Sequence, residues 1–148
     1  MKDIKLKFKS EPIKLGEKKA APVLKSSSPA DTMVATCVTE LMNAATSFHK
    51  LHLKVTGPGS YAAHKALNKA YEYLLDFADD LTEMEQGKAG TTFDLTIPSA
   101  SYEEPVSFLK DLNMYLTSVK GMYCDATINK IEELQGNINQ TLYLLSLK

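Results

Sequence analysis

HLKVTGPGSYAAHKALNKAYEYLLDFADDLTE, residues 52–83, reads as the end of one helix, a turn at Gly57-Pro58-Gly59, and a long second helix. A connection this short makes the two helices antiparallel neighbours. His52 precedes Pro58 by six residues and His64 follows it by six, so both imidazoles stand near one end of the hairpin. Together they suit a transition metal. At about 100° per residue from His64, Asn68 falls near 40° and Asp79 near 60°, while Asp79 and Glu83 share a face as an i, i+4 pair. These metal-capable groups are expected on the apolar side of the second helix. Yet Asp79 lies about 22 Å along the helix from His64, so one chain cannot close a single site from both halves. A second copy lying antiparallel across a two-fold axis would bring its carboxylates to these histidines. The spacing therefore predicts a symmetric dimer with two equivalent sites. The ordinary alternative is a hydrogen-bonded core histidine at 52 and a solvated acidic face at 79 and 83.

The chain has 148 residues, enough for one domain with a substantial core, and its 44% hydrophobic and 24% charged content is that of a globular protein. The net charge of −1 conceals an asymmetry: the cations crowd into the first 30 residues, and the remainder is acidic. All seventeen cations are lysine, which excludes bidentate arginine reading of bases or carboxylates. Cys37 and Cys124 form no CxxC and are expected as buried thiols in a reducing compartment. No apolar run is long enough to cross a bilayer, and the expected location is cytoplasmic, or virion-associated if the chain is phage-encoded.

Residues 1–27 read as a flexible Lys-rich arm, and 28–148 as the folded body. The Ile4-Lys5-Leu6-Lys7-Phe8-Lys9 alternation suits a strand added to a protein partner's edge. The arm's lysines (Lys2, Lys5, Lys7, Lys9, Lys14, Lys18 and Lys19) are candidates for non-specific DNA binding. A solvated tail is the plain reading. Ser28-Pro29-Ala30-Asp31 is a helix start, and Val34, Val38, Leu41, Ala45, Phe48 and His52 draw a buried stripe to about Val55. His49, one turn before His52, is expected beside the site rather than in it. The Thr56–Ser60 segment breaks and recaps the chain. The second helix should span about Tyr61 to Gln86 on Leu67, Ala70, Leu74, Ala78 and Leu81, ending at Gly87 to Gly90. Thr91 to Ile97 alternates in β fashion. A third helix is expected from Glu103 or Pro105 to about Tyr123 on Val106, Leu109, Leu112, Leu116 and Val119. A fourth, capped by Asp125, should run to Leu147 on Ile128, Ile131, Leu134, Ile138, Leu142 and Leu145, with Gly136 allowing close packing. The fold class is all-α: a four-helix bundle with a long crossover, about 87–103, between the second and third helices.

These features together resemble the Dps family, ferritin-like proteins that protect DNA in starved bacteria. The likeness is carried by His52, Gly57, His64, Asn68, Asp79 and Glu83, by the Lys-rich arm and by the long crossover. It covers residues 29–86 well and the rest in outline. The resemblance implies a ferritin-like subunit in a hollow dodecamer. Ferrous iron would be oxidised at sites shared across two-fold interfaces, usually by hydrogen peroxide, and stored as a ferric mineral. The chain departs from the family at Asn68, where the family has a ligating acid, at Leu53, where a tryptophan is expected, and at Met84, where a basic residue is common. A neutral amide is a poorer ligand for a hard ferric ion.

Three functions follow as expectations. The first is a Dps-like ferroxidase and iron-sequestering homo-oligomer, with His52 and His64 of one subunit facing Asp79 and Glu83 of its mate. The second is a catalytically silent ferritin-like assembly protein, in a cage or virion, with a docking arm. The third, compatible with either, is DNA compaction through the arm.

Overall fold

The computed structural model describes the backbone of residues 29–95 and 100–147, and side chains from Thr32 onward. Four helices account for most of it: α1 (Pro29–His52), α2 (Ser60–Ala89), α3 (Pro105–Val119) and α4 (Asp125–Ser146). One 3-10 turn, Lys120–Met122, links α3 to α4. The chain is an all-α four-helix arrangement, with no strand among the described residues. The lysine arm, 1–27, and the cap at Ser28 lie outside them, as do residues 96 and 97 of the β-like alternation; residues 91–95 form no strand.

Helical spacing explains what each element buries. Val34, Val38, Leu41, Ala45, Phe48 and His52 are all buried on α1, and Leu67, Ala70, Leu74, Ala78 and Leu81 on α2. Leu109, Leu112, Leu116 and Val119 of α3 and Ile131, Leu134 and Ile138 of α4 complete the core. Phe48 is fully enclosed, its ring edge-on to Phe108 at 5.7 Å. Four expected core positions differ. Val106 is 38% exposed in the first turn of α3. Ile128, Leu142 and Leu145 are half-buried.

The turn is built on two glycines in the left-handed region, Gly57 at φ 89° and Gly59 at φ 74°, a conformation that a Cβ disfavours. Helix α1 stops at His52, before the expected Val55. Gly59 is the N-cap of α2 and supplies no side-chain bond, so Ser60 starts the helix rather than recapping it. At the far end α2 runs through Gly87 and closes at Gly90, whose N–H donates to the Gln86 carbonyl at 2.8 Å. Cys124, not Asp125, occupies the N-cap of α4; Asp125 is its first residue.

Side-chain bonds order the helices. Helices α1 and α2 are antiparallel, with His52 against His64. Tyr73 on α2 donates to Thr141 on α4 at 3.2 Å, Lys130 pairs with Asp80 at 2.9 Å, and Thr127 donates to Glu85 at 3.0 Å. The descending numbers make α4 antiparallel to α2. In the same way Gln135 donates to Asn113 at 2.9 Å, and Lys120 to Glu132 at 3.0 Å, so α4 is antiparallel to α3 as well. In the α2–α3 connection, the Tyr102 N–H donates to Ser47 Oγ on α1 at 3.0 Å.

Gly136 does not serve close packing: it is exposed, and a Cβ added there meets nothing within 4 Å. It therefore only adds freedom to the unfolded chain. Gly136→Ala should stabilise the protein by about 0.5–1 kcal/mol, a rise in Tm of roughly 2–4 °C. Thermal unfolding followed by circular dichroism measures it, and a fall in Tm would show that the position is constrained.

Candidate metal centre at the helix hairpin

The turn brings His52 and His64 into direct contact. Their rings stack with centroids 3.8 Å apart and planes 28° from parallel. His52 Nδ1 lies 3.1 Å from the His64 carbonyl oxygen, and His64 Nδ1 lies 3.2 Å from the His52 carbonyl oxygen. A carbonyl only accepts, so each Nδ1 carries a proton, and in the neutral form of either ring the lone pair is on Nε2. This is the arrangement that orients a metal-ligating imidazole, whose other nitrogen donates to a carbonyl. The His64 ring also gives a partner to the His52 carbonyl, which at the C-terminal end of α1 has none within the helix. His52 is buried and His64 is exposed.

Tyr71 and His49 extend the stack. Tyr71 meets His52 edge-on at 5.7 Å and lies face to face with His49 at 4.4 Å. His49 is thus beside the pair, as its position one turn earlier suggests. The Tyr71 hydroxyl donates to Asn68 Oδ1 at 3.3 Å, and Asn68 Nδ2 donates to Glu72 Oε1 at 2.9 Å. Asn68 is therefore held by partners on its own helix. Sequence reasoning passed over Tyr71 and Glu72. Their signal was present, since Tyr71 is two turns from His64, and Glu72 is the first acid of α2.

Asp79 and Glu83 lie elsewhere. Both are exposed, and they are not on the apolar side of α2. The buried stripe runs through Leu67, Leu74, Ala78 and Leu81, and the line from His64 through Asn68 to Asp79 and Glu83 falls on the far side. Core packing claimed the apolar stripe first, which leaves the charged line to face outward. Helix α2 is unbroken from Ser60 to Ala89, so the rise of about 22 Å between His64 and Asp79 stands. Among the described residues, no three His, Cys, Asp or Glu side chains converge on a point that could hold a metal. Asp80, next to Asp79, pairs with Lys130 instead, beside a small cavity between α2 and α4 lined by Tyr73, Asp76, Phe77 and Glu133.

The two cysteines differ in surroundings. Burial pushes the Cys37 thiol up to about 12, with Glu40 adding to the effect. Cys124 is exposed, contrary to the expectation of two buried thiols. It stands at the N-cap of α4, and the Thr127 hydroxyl 3.5 Å away holds it below its ordinary value.

The fold and this site define a helical bundle with a histidine pair locked at its hairpin end. A family model described as a family of unknown function, DUF5856, matches residues 52–145, and the chain belongs to that family. No curated protein and no solved structure matches it. Among the described residues no helix is long and apolar enough to cross a membrane.

Two measurements follow. In long-range nitrogen–proton spectra at pH 8, His52 and His64 should both show a protonated Nδ1 and a bare Nε2; the opposite tautomer on either ring would break the reciprocal pairing. A thiol reagent at pH 8 should modify Cys124 alone in the native protein, because Cys37 holds its proton up to about 12. Modification of both thiols without unfolding would show that Cys37 is reachable.

Proposed function

We propose that this chain is a Dps-like iron-oxidising and iron-sequestering protein whose sites are shared by two-fold-related copies. The observation that carries the proposal is the reciprocal His52–His64 pairing, which presets two Nε2 lone pairs beside each other. His52 and His64 of one subunit would meet Asp79 and Glu83 of its mate. The outward line on α2 suits such a mate, with imidazole at one end and two carboxylates at the other. Laid antiparallel on itself, it sets unlike groups together. The helix order is also in keeping with a ferritin-like bundle. Both α2 and α3 run antiparallel to α4, and Phe108 at the start of α3 packs on Phe48 near the end of α1. A connection from Gly90 to Glu104 would then travel the bundle's length as a crossover.

Iron is the substrate. Two ferrous ions each give one electron to hydrogen peroxide, its O–O bond breaks, and two protons from solvent complete two waters. Carboxylates offset the charge gained by the iron, and imidazoles complete the shell. The family resemblance extends this to a dodecamer, a cytoplasmic or virion-associated setting, and DNA binding through the lysine arm.

One observation favours the second reading, a catalytically silent assembly protein. Asn68 stands where the family has an acid, and its amide is already held by Tyr71 and Glu72.

Complementation separates the two. A chain carrying His52→Ala and His64→Ala and a chain carrying Asp79→Ala and Glu83→Ala should each fail to bind Fe(II) in anaerobic titration. Co-assembled, they should recover about half of the parental sites per heterodimer, because one of the two sites at its interface keeps both its histidines and its carboxylates. Assembly without recovery would favour the scaffold.

A further inference from the structure

We propose that the groove between α2 and α4 is the docking site of this chain's own lysine arm, residues 1–27. The groove holds a cavity of about 180 Å³. Tyr73 and Phe77 of α2 and Leu134 of α4 are the buried part of its lining. Its exposed part is acidic: Asp76 and Glu133, with Asp80 half-exposed. Lys130 pairs with Asp80 at 2.9 Å and with Glu133 at 3.6 Å, so one cation is set against three acids. Asp76 enters no ion pair among the described residues. A lysine side chain matches this lining, with methylenes for the apolar floor and an ammonium for the rim.

Charge and reach name the arm as the occupant. Eight lysines and three acids precede α1, while the rest of the chain holds nine lysines and fifteen acids. The second half of α2 carries five of those acids, and the first half of α4 carries Asp125, Glu132 and Glu133. The antiparallel order of the two helices, fixed by Lys130 on Asp80, makes these halves neighbours. The arm joins the body at this same end. His52 of α1 meets His64 of α2, and equal rises along the antiparallel pair set Pro29 level with Gly87. Asp80 is about 10 Å along the axis from that level. The chain ahead of Pro29, extended at about 3.3 Å per residue, reaches several times that distance.

Asp79 and Glu83, assigned above to the two-fold mate, do not line the groove. Asp80, Tyr73 and Phe77 lie about 100–160° round α2 from Asp79, on the side that α4 covers. The docking therefore stands apart from the iron proposal. Exposed ion pairs are individually weak and screened by salt, so the arm is held reversibly by several at once.

The test uses the full chain. A zero-length carbodiimide, which joins a lysine amine to a carboxylate in contact with it, should link arm lysines to Asp76, Asp80 or Glu133. Mass spectrometry of protein assembled from isotope-labelled and unlabelled copies reads the links. Links confined to other acids, or found only between differently labelled copies, overturn the proposal. Trypsin cleavage at the arm's lysines is the second readout. The Asp76→Asn, Asp80→Asn, Glu133→Gln variant should be cut about threefold faster or more. A control with Glu103→Gln, Glu104→Gln and Asp111→Asn removes as much charge elsewhere and should be cut at the parental rate. The difference should vanish near roughly 1 M salt, where the screening length is about 3 Å. An unchanged rate in the first variant, or equal acceleration in both, overturns the proposal in favour of a solvated arm or of diffuse attraction to an acidic body.

Discussion

Each of the two imidazoles at the hairpin end donates its Nδ1 proton to the other's backbone carbonyl, and much of this molecule follows from that exchange. It ties the last turn of α1 to the start of α2, across a turn that depends on two left-handed glycines. Burial on His52's side and exposure on His64's make one ring part of the core and the other part of the surface. Because a carbonyl can only accept, the same bonds fix the tautomer of each neutral ring, with its lone pair on Nε2. A structural staple and a preset ligand pair are thus one feature. Tyr71 and His49 brace it from the outside, and the core beneath it rests on Phe48.

What the pair lacks is negative charge. Helix α2 carries its acids toward the other end, and an unbroken helix cannot bend them back. The chemistry proposed for the site is therefore one that a single chain leaves unfinished. The outward line of α2, basic and imidazole-bearing at its start and acidic at its end, would complement a reversed copy of itself. Asn68 marks the weak point of that scheme, since its amide is committed within the helix where a carboxylate would hold iron more firmly.

Helix existence was legible because burial imposes a period. The apolar residues of α1 and α2 recur at threes and fours, and every one of those named stripes is buried. The boundaries were less so. α1 ends three residues earlier than the spacing suggested, and α2 outlasts Gly87, since a helix tolerates one exposed glycine. Val106 and Cys124 show the limit of reading burial from residue type alone: both sit at helix starts, and both are exposed.

The sequence by itself determined four helices, the hairpin between the first two, the meeting of His52 with His64, and the distance that keeps Asp79 and Glu83 from them. These are consequences of helical rise and a short turn, which are local. Only the tertiary structure decided which side of α2 those acids occupy, because a helix with several semi-apolar lines buries the one its neighbours cover. It also decided the ring stacking, the exchanged carbonyl bonds and the capture of Asn68 by Tyr71 and Glu72. Those depend on side-chain orientations that the packed helices impose.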